Sequence, residues 1–247
     1  RIMMSMIVRD HNDGILVPIP QYPLYSALVT LNKAHLLPYL LDEDKNWGLD
    51  PVSLQSQIEI ARSKGVCPRA LVVINPGNPT GQVMTTADLQ MIIKICYEND
   101  ILILSDEVYQ TNVYKEGSVF VSMRKVLHEM GAPYAKSVEL VSFNSISKGV
   151  MGECGLRGGY FETHNLSPQA EELVFKLKSI ELCSNTIGQT VVELMVNPPM
   201  LGVESVDTVT KYLTEYSELH TALRTKARML TTTFNEMKNV TCTDIEG

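Results

Sequence analysis

Short apolar runs alternate along this chain with segments whose apolar residues recur every three or four positions. Ile15 to Ile19, Leu36 to Leu41, Ala70 to Asn75, Ile101 to Ser105 and Val138 to Phe143 are strand-sized and rich in Val, Ile and Leu. Those without polar alternation fit a sheet covered on both faces. Between them, Tyr22 to Asn32, Pro51 to Ser63 and Thr86 to Glu98 carry helical spacing, clearest at Leu89, Ile92, Ile93 and Cys96. Asp50 before Pro51, and Thr85-Thr86-Ala87-Asp88, supply helix starts. The alternation predicts an α/β fold, a mostly parallel sheet flanked by helices. From Val206 to Met237 the apolar positions repeat at threes and fours for about nine turns. A helix of that length bridges two units or meets a partner, or else is a long core helix, and periodicity alone leaves both open. Val240 to Thr243 reads as one more strand.

Composition narrows the class. With 247 residues, 45% of them hydrophobic, the chain can bury at least one large core. A net charge of −7 with dispersed Lys and Arg argues against nucleic acid as a partner. Five cysteines without a CxxC pair read as reduced intracellular thiols, and five scattered histidines without HExxH give no metal site. No apolar run approaches the ~20 residues of a membrane span. Arg1 opens the chain with no signal-peptide pattern, and Gly247 directly follows the last expected strand. Both ends look cut from a longer protein, so cytosol, mitochondrion and peroxisome are not distinguished.

Ligands of open α/β sheets bind beyond the carboxyl ends of the strands, so strand-end polar residues hold the candidate chemistry. Asp106 ends one apolar run and Tyr109 lies about one turn beyond it. Lys148 follows Val138 to Phe143 through small polar residues, with Arg157 further on. Taken singly, Asp106 reads equally as a helix cap, Tyr109 as a buried phenol with a chance partner, and Lys148 as a solvated lysine. The glycine loops at Gly77–Gly81 and Gly152–Gly159 match neither a P-loop nor a dinucleotide fingerprint.

Jointly, Asn75-Pro-Gly-Asn-Pro-Thr-Gly81, Ser105-Asp-Glu-Val-Tyr109, Ser145-Ile-Ser-Lys148 and Arg157 resemble the fold-type I, class I/II aminotransferases. Pro18-Ile-Pro-Gln-Tyr-Pro-Leu-Tyr-Ser-Ala27, Asn112-Val-Tyr114, Gly152-Glu-Cys-Gly-Leu-Arg-Gly-Gly-Tyr160 and Asn197-Pro-Pro199 resemble the alanine aminotransferase branch, which shares most of them with glutamate–glyoxylate aminotransferases.

The resemblance implies pyridoxal 5′-phosphate, bonded covalently to Lys148, which later shuttles a proton at the substrate. Asp106 would pair with the pyridine nitrogen, and Tyr109 and Asn78 with the ring's O3′. Ser145, Ser147 and Arg157 would hold the phosphate, and Tyr22 would stack on the ring. Burial and Arg157 would keep Lys148 neutral, and Asn78-Pro79 is a candidate cis peptide. The implied reaction is ping-pong transamination of L-alanine and 2-oxoglutarate to pyruvate and L-glutamate, by a homodimer. A glyoxylate-linked activity, a lyase or synthase of the same fold, and a non-catalytic binding or dimerising partner are the alternatives. The implied domains are a truncated N-terminal segment (1–13), a cofactor-binding large domain (14–205), and an interdomain helix with the beginning of a truncated small domain (206–247). By the same resemblance a glycine- and serine-containing phosphate loop would precede Arg1 and the substrate-carboxylate arginine would lie beyond Gly247, so the fragment alone is expected to be inactive. Val150 departs from the aromatic residue usual after Lys-Gly.

Overall fold

The computed structural model describes residues 1–247. Its elements run α1 (Ile2–Ile7), β1 (Asp13–Ile19), α2 (Leu24–Leu31), β2 (His35–Asp42), β3 (Gly48–Leu49), α3 (Pro51–Ser63), β4 (Cys67–Ile74), α4 (Thr86–Asn99), β5 (Leu102–Asp106), α5 (Met123–Glu129), α6 (Tyr134–Ser137), β6 (Leu140–Ser145), β7 (Gly159–His164), α7 (Pro168–Ile180), α8 (Thr186–Val196) and α9 (Val206–Glu236). The sheet order is β3-β2-β1-β4-β5-β6-β7. The five strands from β2 to β6 are parallel, while β3 and β7 close the two edges antiparallel.

Strand alternation sorts the core into two layers. Leu16, Leu71, Val73, Ile103 and Leu140 face α3, α4 and α5, meeting Leu54, Ile58, Leu89, Ile92, Ile93 and Val126. Ile15, Val17, Ala70, Val72, Leu104 and Val141 face α1, α2 and α7, meeting Met3, Met4, Val29 and Val174. The helix starts follow the capping chemistry in the sequence. Asp50 accepts from the Val52 N–H at 3.0 Å, and Thr85 and Asp88 form a reciprocal capping box.

At the amino edge of the sheet, Asp13 is almost wholly buried and accepts from Arg69 Nε at 2.6 Å and the Arg9 N–H at 2.7 Å. Removing one partner of such a pair strands the other charge. Asp13→Ala is therefore expected to lower unfolding stability by about 3 kcal/mol in chemical denaturation. A loss under about 0.5 kcal/mol, the scale of a neutral surface change, would mean that the pair contributes nothing.

Several expectations change. Val240–Thr243 forms no strand. The segment is instead tied to the helix end by Asn235, whose side chain bonds both the N–H and the C=O of Cys242. Despite its apolar sequence, β2 is covered on one face only, with Leu36 and Leu40 exposed. Of the 31 residues of α9 only Val209 and Ala227 are buried, which removes the core-helix option. The helix touches the sheet's carboxyl side at His220, whose Nε2 lies 2.9 Å from the Val113 carbonyl, and through the tilted Tyr114–His220 ring pair.

Candidate active site

Parallel pairing brings the carboxyl ends of β4, β5 and β6 side by side, with Ile74 opposite Asp106 and Asp106 opposite Phe143. Asp106 thus stands at the middle of the sheet's carboxyl edge. Its Oδ2 accepts a hydrogen bond from the Tyr25 hydroxyl, and its Oδ1 lies 3.4 Å from the Val108 N–H. Burial pushes this carboxyl above its ordinary range, and the two hydrogen bonds pull only partly against it. The Tyr25 phenol is pushed well up in turn, first by burial and then by the Asp106 charge. Beside them opens a cavity of about 540 Å³ whose walls include Tyr25, Leu28, Asp106, Phe143, Ser145 and Phe161. Its wall is mostly hydrophobic but also carries Arg1 and Lys178, and Asn78, Tyr109 and Lys148 lie outside it.

The Asn75–Gly81 loop is held by Asn75, whose side chain accepts from the Met84 N–H at 2.9 Å, and by the Gly77 N–H donating to the Gln82 carbonyl at 2.9 Å. A Cβ at Gly77 would displace the ends of the Gln82 and Thr80 side chains. The peptide bond before Pro79 is cis, as the sequence suggested; those before Pro20, Pro76 and Pro133 are cis as well. This loop delivers Asn78, whose Nδ2 donates to the Tyr109 hydroxyl at 3.1 Å. Tyr109 sits on a turn closed by Gln110 N–H to Glu107 C=O (3.0 Å) and Asn112 N–H to Tyr109 C=O (2.8 Å). Glu107 anchors that turn to α5. Its Oε1 accepts from the Met123 N–H at 2.9 Å and the Ser105 hydroxyl at 3.0 Å, and burial pushes its carboxyl up.

Lys148 lies on the turn after β6, with Nζ 5.7 Å from the centre of the Tyr109 ring. It is exposed, not buried as expected, because the turn carries it past the sheet edge and beside that ring. Ser145 donates to the Gly158 carbonyl and accepts from the Ser147 N–H, both at 3.1 Å. Arg157, at a left-handed backbone position, turns its guanidinium to the Cys154 carbonyl at 2.9 Å. Tyr22 is 49% exposed. The structure therefore joins Asn78, Tyr109 and Lys148, and separately Ser145 with Ser147, while Tyr22 and Arg157 contact none of the others by hydrogen bond.

Two residues were not foreseen. Tyr25 reaches Asp106 from the first turn of α2, one turn past Tyr22; the sequence signal was a second tyrosine on the face packed against the sheet. Thr111 accepts from the Val150 N–H at 3.3 Å, tying the Tyr109 turn to the Lys148 turn. It also leaves no room for a side chain at Gly149, where a Cβ would approach its Oγ1 to 2.9 Å. Val150, the departure noted in the sequence, is nine-tenths buried beside it. No group of three or more His, Cys, Asp or Glu is placed to hold a metal ion.

Comparison with known proteins fits this arrangement. The chain is 48% identical over 245 residues to "Glutamate–glyoxylate aminotransferase 1" of Arabidopsis thaliana, covering 99% of this chain and 50% of that one. It is 48% identical over 246 residues to "Probable alanine aminotransferase, mitochondrial" of Dictyostelium discoideum, covering 99% and 45%. The chain thus spans about half the length of the curated relatives it matches. Among solved structures, the alanine aminotransferase from Pyrococcus furiosus superposes with a TM-score of 0.81 at 26% identity, over 100% of this chain and 56% of that one. The family model "Aminotransferase class I and II" matches residues 1–246, and the chain belongs to that family.

Proposed function

We propose that this chain forms the cofactor-binding part of a pyridoxal phosphate-dependent aminotransferase that converts L-alanine and 2-oxoglutarate to pyruvate and L-glutamate. The observation that carries the proposal is Asp106, a carboxyl pushed up by burial, with no cation among its hydrogen-bond partners, on the wall of a mostly hydrophobic cavity at the sheet's carboxyl edge. A protonated pyridine nitrogen is the opposite charge that such a carboxylate lacks among its hydrogen-bond partners.

Pyridoxal phosphate supplies an aldehyde for the substrate's amino group and a ring that accepts electron density while its nitrogen stays protonated. Asp106 would keep that nitrogen protonated. Asn78 and Tyr109, already a hydrogen-bonded pair, would hold the ring oxygen between them. Lys148 Nζ, with no ion pair or hydrogen bond of its own, would be the amine that holds the cofactor and, once freed, would take and return the proton at the substrate Cα. Ser145, Ser147 and Arg157 would hold the phosphate, the arginine after leaving the Cys154 carbonyl it now meets. Tyr22 would stack on the ring. Residues 14–205 constitute the cofactor domain, and 206–247 the bridging helix and the beginning of a second, smaller domain.

Glutamate–glyoxylate transamination is the second reading. It is favoured by the Arabidopsis relative, which equals the alanine-type one in identity. The large exposed apolar side chains of α7 and α8, among them Phe175, Ile180 and Ile187, support a homodimer. Five unpaired cysteines support an intracellular site of action. No helix is long and apolar enough to cross a membrane.

The test is incubation with pyridoxal phosphate, borohydride reduction and peptide mass mapping. A pyridoxyl group on Lys148 is expected. Label confined to Lys178, which lines the same cavity as Asp106, would overturn the assignment, as would a folded chain that takes no label.

A further inference from the structure

Beyond α9 the chain returns across the carboxyl edge of the sheet, and Glu246 is where this return is fixed. Its carbonyl accepts from the Tyr114 N–H at 2.6 Å and the Lys115 N–H at 3.2 Å. Its own N–H donates to the Gly81 carbonyl at 3.2 Å, alongside the Gly247 N–H at 2.8 Å. One carboxylate oxygen accepts from the Val83 N–H at 2.9 Å; the other lies 3.4 Å from the Ser118 hydroxyl and 3.5 Å from Lys115 Nζ. The side chain is 14% exposed. The approach is pinned by Trp47 Nε1 donating to Thr243 at 3.3 Å and by the Lys115–Asp244 ion pair at 3.1 Å.

The two strips of chain bridged in this way are the ones that supply Asn78 and Tyr109. On one side Glu246 holds Gly81 and Val83, at the end of the loop that carries Asn78. On the other it holds Tyr114, Lys115 and Ser118, downstream of the turn that carries Tyr109. The two loops meet at the 3.1 Å bond from Asn78 to the Tyr109 hydroxyl. Hydrogen bonds weaken steeply with distance and angle, so two donors serve one ligand oxygen only while their loops keep register to about 0.5 Å.

We infer that Glu246 is a positioning residue of the cofactor site, a bracket that fixes the spacing of Asn78 and Tyr109 without touching the cofactor. The inference rests on the cofactor assignment above. A carboxylate accepting a backbone N–H is among the stronger hydrogen bonds, which suits it to hold two loops that share no sheet ladder at this point.

The test compares E246A with E246Q, whose amide oxygen can still accept from the Val83 N–H. Amide hydrogen exchange on the cofactor-free chain is expected to accelerate about tenfold at Val83 in E246A, and much less in E246Q. With pyridoxal phosphate added, E246A is expected to raise Kd about tenfold and to shift the pH profile of the bound cofactor's visible absorbance, because Asn78 and Tyr109 set the proton affinity of the oxygen they share. E246Q restores both. If E246A does not fold, E246M, which keeps side-chain length without an acceptor, carries the same expectations. Unchanged exchange at Val83 would overturn the inference, and so would faster exchange with wild-type Kd and pH profile, the pattern of a purely structural contact. A wild-type chain that takes up no cofactor sinks the aminotransferase assignment and the inference together; wild-type uptake with E246A unaltered sinks the inference alone.

Discussion

Lys148→Ala is expected to abolish covalent retention of pyridoxal phosphate and to reduce any transaminase turnover by about 10³-fold or more. The size follows from what the residue does, since its amine would both anchor the cofactor and move the proton at the substrate Cα. Nearby amines are poor substitutes. Lys115 is engaged by Asp244 at 3.1 Å and Glu246 at 3.5 Å, and Lys178 by Glu181 at 2.9 Å. Non-covalent binding survives in the variant, because Asp106, Asn78 and Tyr109 remain. The check is borohydride trapping together with single-turnover kinetics on the same preparation. Turnover within tenfold of wild type would show that another base serves the reaction.

Asp106→Asn is expected to cost about 10³-fold in the turnover of a chain extended to its relatives' length, while leaving the fold intact. Asparagine is nearly isosteric and can still bond the Tyr25 hydroxyl, but it offers no countercharge to a protonated ring nitrogen. The same substitution is expected to stabilise the cofactor-free chain at neutral pH. The folded-state carboxyl of Asp106 titrates above its unfolded value, so over that window the folded state binds more protons than the unfolded one. The Asp106 contribution to stability therefore falls as pH rises from the ordinary carboxylate range, near 4, through the raised folded value. D106N removes that slope. Denaturant midpoints for the two chains should converge at low pH and separate above it, with the variant higher. Parallel curves across the pH range would show that burial of this carboxyl carries no such cost.

Much of this was legible because short-range chemistry wrote it. The Pro51–Ser63 helix has the expected bounds because Asp50 and Pro51 fix its start, and Thr86 begins its helix because Thr85 and Asp88 close a capping box. The strand-end positions of Asp106, Tyr109 and Lys148 followed from apolar runs that end abruptly in polar residues. Elements whose identity depends on distant partners were not legible. Gly159–His164 becomes a strand by pairing antiparallel with β6, although its glycine-rich approach reads as a loop. The two helices α7 and α8 keep large apolar residues exposed, so no clean polar face marked them. Within the site, Tyr25 and Thr111 gain their roles by meeting residues 81 and 39 positions away, pairings that local spacing does not encode.

The buried carboxylate of Asp106, bonded to Tyr25, also gives the cofactor-free site a form of selectivity. The phenol fills one acceptor position of Oδ2, and Oδ1 has only the Val108 N–H at 3.4 Å, so the carboxylate keeps acceptor positions to offer. A neutral aromatic of the right size can match apolar walls but brings no charge to a buried anion. A ring bearing an N–H cation would meet that charge while the phenol stays in place. The site would then discriminate by what a visitor carries at its edge more than by whether it fits.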